Sequence, residues 1–206
     1  MSVLDLRNMD CMEMMAQFPD KYFELAIVDP PYGIGDKFKG GISGKLRFNE
    51  IVEKGWDCVP DASYFKELFR VSKNQIIWGG NYFDLPPSRC FIVWDKQISE
   101  DFSLAMAELA WTSFDKLAKI FRMSTTKDGL KIHPTQKPVA LYKWLLHNYA
   151  KQGDKILDTH GGSMSIAIAC HQMGFDLTLS ELDKDYYEAG IKRVKQETAQ
   201  LDVFSA

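Results

Sequence analysis

Short apolar runs alternate along the chain with stretches whose apolar residues recur at helical spacing. The run Phe23-Glu24-Leu25-Ala26-Ile27-Val28 predicts a buried strand. Gln75-Ile76-Ile77-Trp78, Phe91-Ile92-Val93-Trp94, Leu104 to Trp111, Lys155-Ile156-Leu157-Asp158 and Leu177 to Leu179 predict further strands. Between them lie helices. Asp10 with Glu13 resembles a capping box and opens a short helix through Met12, Met15 and Phe18. Asp61 caps a helix bearing Tyr64, Phe65, Leu68 and Phe69, and Pro138 begins one bearing Leu141, Tyr142, Leu145, Leu146 and Tyr149. A helix through Ile166, Ala169 and Cys170 stops at Gly174, and the last runs from about Lys184 to Gln196 or beyond. Residues 116–131 show no clear period, and the glycine- and charge-rich stretch from Gly33 to Gly55 reads as a long surface loop. Strands alternating with helices predict an α/β fold with a doubly wound, mostly parallel sheet.

At 206 residues this is one domain, with a loop insertion at about 33–60 and a small segment at about 95–133 that departs from the alternation. No apolar run approaches the roughly 18 residues of a membrane span, and residues 1–15 lack a signal-peptide profile, so no membrane is involved and a cytoplasmic protein is expected. Cys11, Cys58, Cys90 and Cys170 are scattered, which predicts buried, reduced thiols and no metal site. A net charge of −3 argues against a wholly basic nucleic-acid binder but allows a local basic face.

Asp29-Pro30-Pro31-Tyr32 carries the most specific chemistry. Neither proline has an N–H, so the sheet ladder ends there in a stiff, projecting turn. The Asp29 carboxylate and the prolyl carbonyls are acceptors at fixed separation, and Tyr32 adds a flat face. Such a turn suits a planar group bearing an NH₂, such as a nucleobase amine; the alternative is an ordinary strand-to-loop turn.

A second constellation occupies the C-terminal third. Asp158 ends a strand, Gly161, Gly162 and Ser163 form a turn into a helix, and Glu181 follows the next strand. Glycines in such a turn admit a ligand close to backbone N–H groups, and the later acid can hold ribose hydroxyls. Asp158 would repel a pyrophosphate but accept from an ammonium group. Adenosine, ribose and an amino acid are combined in S-adenosylmethionine. The alternative is a βαβ unit whose glycines only pack helix on strand.

With both constellations present, the chain resembles the amino-methyltransferases of DNA, in the permuted motif order where the Asp-Pro-Pro-Tyr segment comes first. The resemblance covers nearly the whole chain. It includes Asn8-Met9-Asp10-Cys11, Asp29 to Gly33, Trp78 to Phe83, Trp94-Asp95-Lys96, Glu108 to Phe114, His133 to Pro138, Asp158-Thr159-His160 and Glu181-Leu182-Asp183. Within the family it looks like the small adenine-specific enzymes of phages and prophages.

The resemblance implies the S-adenosylmethionine-dependent, Rossmann-like methyltransferase fold and S-adenosylmethionine as cofactor. Asp29, Pro30, Pro31 and Tyr32 would be catalytic and receive a flipped adenine, Asp29 also bordering the cofactor. Asp158, Thr159, His160, Gly161, Gly162 and Ser163 would cradle the methionine part, and Glu181 the ribose, with Leu182 and Asp183 beside it. Thr135, Lys137 and Pro138 would close that pocket, and Asp10 and Cys11 would lie against the cofactor's adenine. Gly79, Gly80 and Asn81 would line the target-base side. The expected partner is double-stranded DNA, met by Asn81, Arg122 and the basic loop residues Lys37, Lys39, Lys45 and Arg47. Lys116, Lys119, Arg122, Lys127 and Lys131 form a second basic stretch suited to base reading, the segment at 95–133 being the target-recognition part. A homodimer and a cognate restriction enzyme are further partners such a protein would have.

His133 and His160 read as loop-packing residues, and Trp78, Trp94 and Trp111 as core. The family pattern reads Gly-Ser-Gly where this chain has Gly162-Ser163-Met164, and the Met164 side chain is expected to point into the helix–sheet layer. The leading expectation is adenine N6-methylation of DNA. The alternatives are N4-methylation of cytosine, an RNA or protein-glutamine substrate, and a catalytically silent DNA-binding relative.

Overall fold

The computed structural model describes residues 2–33, 58–101, 105–124, 132–133 and 135–204, with the side chains of 200–204 left aside. Lys37, Lys39, Lys45, Arg47, Leu104, Lys127 and Lys131 therefore lie outside the described residues.

The chain runs β1 (Leu4–Arg7), α1 (Cys11–Met15), β2 (Phe23–Val28), α2 (Ala62–Val71), β3 (Ser72–Trp78), β4 (Phe91–Asp95), β5 (Ala107–Thr112), β6 (Lys119–Arg122), α3 (Val139–Tyr149), β7 (Lys155–Asp158), α4 (Ser165–Met173), β8 (Asp176–Ser180) and α5 (Lys184–Phe204). The strands form one eight-stranded sheet in the order β1-β8-β7-β2-β3-β5-β4-β6. The pairs β1–β8, β8–β7, β7–β2, β2–β3 and β4–β6 are parallel, while β5 runs against both β3 and β4. The doubly wound, mostly parallel α/β sheet is thus present.

β2 is unbroken apolar from Leu25 to Val28 because both of its faces are covered there. Leu25 and Ile27 pack with Trp78, Ile92, Trp94, Leu141, Leu145 and Ile168 on one face. Ala26 and Val28 pack with Met14, Met15, Tyr64, Leu68 and Val71 on the other. Burying a side chain such as Leu25 or Ile27 contributes about 1.5–3 kcal/mol, so register slips of β2 are strongly disfavoured. Asp61 caps α2 by accepting from the N–H groups of Ser63 (2.8 Å) and Tyr64 (3.3 Å), as its position predicts.

Several expectations need correction. Pro138 is the residue before the first turn of α3 rather than within it. The predicted strand from Leu104 begins at Ala107, and the patternless stretch from Lys116 contains β6. β1 was not expected; four residues with alternating polarity carry too little signal. Of the cysteines only Cys90 and Cys170 are buried, Cys11 being half-buried and Cys58 exposed. Trp78 and Trp94 are core, whereas Trp111 is only partly covered and donates to the Pro86 carbonyl (2.6 Å).

Met164 lies in the left-handed region (φ 55°, ψ 28°) just before α4, and its side chain is fully buried in the core. That is the orientation the sequence predicts. A Cβ on Gly190 of α5 would stand 2.7 Å from the Met164 Cγ, so the two positions are complementary. Gly190→Ala should destabilise the protein by about 1–3 kcal/mol through overpacking. Met164→Gly relieves left-handed strain of about 1–2 kcal/mol but empties the space above Gly190. The double variant should recover much of the Gly190→Ala loss; additive losses in denaturant titration would show that the residues do not interlock.

Candidate active site

The sheet order reverses between β2 and β7: β2 leads on to β3 on one side, β7 to β8 on the other. In open α/β sheets the crevice outside the strand carboxyl ends at such a switch point binds ligands. Asp29 follows β2 and Asp158 ends β7, so the two sequence constellations, distant along the chain, meet there.

The Asp29 side is built as follows. Pro30 and Pro31 end the β2 ladder, whose last pair with β3 is Val28 with Ile77. The Tyr32 hydroxyl donates to Asp29 Oδ1 (2.5 Å), and the Lys137 ammonium donates to Asp29 Oδ2. Together these use two of about four acceptor positions on the carboxylate, leaving others for a ligand. No described group donates to the Pro30 carbonyl. The Tyr32 ring lies over Gly79, where φ is +68° and a Cβ would stand 2.2 Å from Tyr32 Cε1. The outer face of Tyr32 stacks on Tyr82, with centroids 5.1 Å apart and planes inclined by 15°. Tyr82 is exposed, and it sits with Asn81 on a single 3-10 turn, Gly80–Tyr82, after β3.

Lys137, expected to help close the cofactor pocket, is buried beneath the Asp29 turn, where it also pairs with Glu108 Oε2 (3.1 Å) at the start of β5. Glu108 Oε1 in turn meets Lys96 (2.6 Å). Burial alone would lower the Lys137 pKa, but Asp29 and Glu108 hold it raised. Burial would likewise raise Glu108, yet the two lysines hold it down to about 2. Lys96 and Glu108 were quoted in the resemblance without a role, because no local pattern marks a side chain that acts through a distant strand.

The Asp158 side has a different character. Asp158 is buried, accepts from the His160 N–H (3.0 Å) and has no ion-pair partner among the described residues. Burial, with Asp29 and Glu181 adding to it, pushes its pKa up to about 7. Glu181 accepts from the N–H of Gly162 (2.6 Å) and of Asp183 (2.9 Å), pinning the glycine turn to its own loop. Asn8 holds that loop through the carbonyls of Glu181 (2.8 Å) and Leu182 (3.1 Å), and Leu182 is exposed beside it. Asp183 caps α5 and Asp10 caps α1, so each has a structural duty. Cys11 adjoins Asp10, and burial raises its thiol to about 11. The Thr159 hydroxyl bridges the Tyr64 hydroxyl (2.7 Å) and His160 Nδ1 (2.9 Å), and burial lowers His160 to about 4.

Gly161 serves packing: a Cβ there would stand 2.5 Å from Leu179 Cδ2. Gly162 (φ +47°) has more open surroundings, with His133 ring atoms 3.7 Å from its Cβ position. His133 packs on Tyr186 and accepts from the Thr135 N–H (3.3 Å), which places Thr135 beside the glycine turn. Ser163 faces Ser165 (3.1 Å) and is largely buried. Tyr64, which the sequence marks only as part of a helix, reaches Thr159 beside Asp158.

The set fits S-adenosylmethionine in its chemistry. A buried carboxylate with no cation of its own is suited to an ammonium group, and Glu181 retains acceptor capacity for hydroxyls.

Of the DNA-contact candidates, Asn81 is exposed next to the Asp29 turn. Arg122 is exposed at the carboxyl end of β6, 3.4 Å from Asp95. Lys116 and Lys119 instead bind Asn148 near the end of α3, Lys116 through its backbone carbonyl (3.2 Å) and Lys119 through its side chain (2.5 Å). Lys119 begins β6, the edge strand that Arg122 ends, and so lies at the amino end of the strand, away from the strand carboxyl ends where the site sits.

The DNA methylase family model, which covers N6- and N4-methyltransferases, matches residues 77–192, more than half of the chain. The chain belongs to the DNA methylase family. Among relatives of this methylase, the type II methyltransferase M.HpaI of Haemophilus parainfluenzae is 33% identical over 72 residues, 35% of this chain. That match spans 23% of M.HpaI. The putative methylase YubD of Escherichia coli K12 is 24% identical over 90% of this chain and 87% of its own length. The crystal structure of the M1.HpyAVI-SAM complex superposes with a TM-score of 0.63 at 15% identity, covering 93% of this methylase and 100% of that chain. No described helix is long and apolar enough to cross a membrane.

Proposed function

We propose that this methylase transfers the methyl group of S-adenosylmethionine to N6 of an adenine flipped out of double-stranded DNA. The observation that carries the reading is the placement of the Asp29–Pro30 acceptor turn beside the Asp158 crevice, across the β2–β7 switch point, in a member of the DNA methylase family. Bound there, S-adenosylmethionine supplies an electrophilic methyl group.

Adenine N6 is a weak nucleophile because its lone pair is delocalised into the ring. Asp29 and the Pro30 carbonyl accept its two N–H groups, draw the nitrogen toward tetrahedral geometry and free the lone pair. The new N–C bond would form as the sulfonium's S–CH₃ bond breaks, with that electron pair staying on sulfur as a neutral thioether. Positive charge grows on N6, and these fixed acceptors stabilise it, one such group typically being worth about 3–4 kcal/mol. The surplus N6 proton leaves by way of the Asp29 carboxylate to solvent. Orientation within the crevice supplies roughly 7–11 kcal/mol more. Tyr32 offers its ring to the flipped base, offsetting part of an unstacking cost of a few kcal/mol. Tyr82 covers that ring at 5.1 Å, less than the roughly two stacking distances a base between them needs, so Tyr82 moves aside when the base stacks on Tyr32. Asp158 holds the ammonium group and Glu181 the ribose. Asn81, Arg122 and the loop bearing Lys37, Lys39, Lys45 and Arg47 meet the DNA.

Nucleoside mass spectrometry of unmodified bacterial DNA incubated with the protein and S-adenosylmethionine tests this. N6-methyladenine is expected. N4-methylcytosine would replace the adenine reading with the cytosine one, and absence of either, with calorimetric binding of the cofactor intact, would refute both.

Asp158 also predicts a pH dependence. Its folded pKa near 7 lies above the roughly 4 of an unfolded aspartate. The empty protein therefore loses stability from this group as pH rises from about 4 to 7, and no more above that. An ammonium ligand prefers the ionised form, so cofactor affinity should climb up to about tenfold per unit toward pH 7 and level off beyond it. Affinity flat from pH 5.5 to 8 would show that Asp158 does not meet the ammonium group.

A further inference from the structure

We infer that Glu108 is a positioning residue for methyl transfer, acting through Lys137 to keep the Asp29 turn free of excess positive charge; this rests on the function proposed above. The four side chains form a line, Asp29–Lys137–Glu108–Lys96, in which anions and cations alternate. Lys137 has 2% of its side-chain surface exposed, and Lys96 has 14%. The charges sum to zero, and they do so where the reaction places a growing positive charge on the target amine.

In an interior this dry, a lone ammonium touching Asp29 would weaken that carboxylate as an acceptor and oppose the charge on N6. Glu108 draws on the same ammonium from the other side and cancels it. Lys96 then neutralises Glu108, which would otherwise be a buried anion sharing one partner with Asp29. The β-sheet enforces the order. Glu108 pairs across β5–β4 with Trp94, two residues before Lys96, and Lys137 immediately precedes the Pro138 cap of α3. Glu108 reaches Asp29 through Lys137, which pairs with both carboxylates.

Charge, rather than shape, is the property to test. Glu108→Gln keeps the volume and leaves the line with one net positive charge, whereas the Lys96→Met/Glu108→Gln pair restores neutrality. With unmodified bacterial DNA and radiolabelled S-adenosylmethionine, kcat should fall about a hundredfold in Glu108→Gln. Calorimetric cofactor affinity should stay within about threefold of wild type, and the double variant should regain at least tenfold of the lost kcat. A folded Glu108→Gln protein with wild-type turnover overturns the proposal. So does a double variant as slow as the single one, and so does a Glu108→Gln protein that no longer folds, because the charge would then serve the core. A wild type that methylates no DNA removes the functional reading and this inference together, and that outcome is distinct from the other three.

Discussion

Asp29→Asn is expected to lower methyl transfer by about a thousandfold while cofactor affinity changes little. The amide keeps the volume but replaces one acceptor oxygen with a donor; facing Lys137 or the incoming amine it meets another donor, and facing Tyr32 it forces the hydroxyl to turn from donor to acceptor. Loss of one preorganised oxyanion-type partner typically costs 10²–10³ in kcat, and here the group is also the main anion near the developing charge. Asp29→Ala is the harsher change, because it leaves the buried Lys137 with Glu108 alone and costs stability as well. Comparing the two variants by thermal melting and single-turnover transfer separates these effects. Retention of most of the wild-type rate by Asp29→Asn would end the assignment.

The second large effect is expected at Gly79. Its φ of +68° is strained for any residue with a Cβ, and that Cβ would overlap the Tyr32 ring at 2.2 Å from Cε1. The Tyr32 ring can yield only by disturbing its hydroxyl's bond to Asp29. Gly79→Ala should therefore tilt Tyr32, disturb the Asp29 turn and cut turnover by about a hundredfold, with a stability cost of about 1–3 kcal/mol. Cofactor affinity should survive, because the glycine turn at Gly162 and the Asp158 carboxylate belong to other strands. Equal losses in turnover and cofactor binding would mean that the two halves of the crevice are not separable in this way.

What the sequence made legible was whatever chemistry is local. β2 and its Asp29 turn could be read because an apolar run and two prolines sit next to one another. The same holds for the Asp158 strand with its glycine turn, and for the Asp61 cap. Lys137 could be found but its partner could not: its neighbours place it at the start of a helix, while Asp29 comes from a distant strand. Glu108 and Lys96 were invisible as a functional pair for the same reason. β1 and β6, four residues each, escaped notice because edge strands this short carry almost no periodic signal. For Gly161 the sequence left two purposes open, space for a ligand or helix-on-strand packing, and the contact with Leu179 supplies the second.

The pairing of β2 with β7 has a consequence for how the protein comes to exist. Leu25 is synthesised long before its parallel neighbour Ile156. Until then one edge of the most apolar strand has no partner, a condition that invites association between nascent chains. Closing so distant a contact is slow, because the loop entropy must be met before the ladder repays it. Truncations before β7 should therefore accumulate as insoluble protein rather than as a smaller soluble domain.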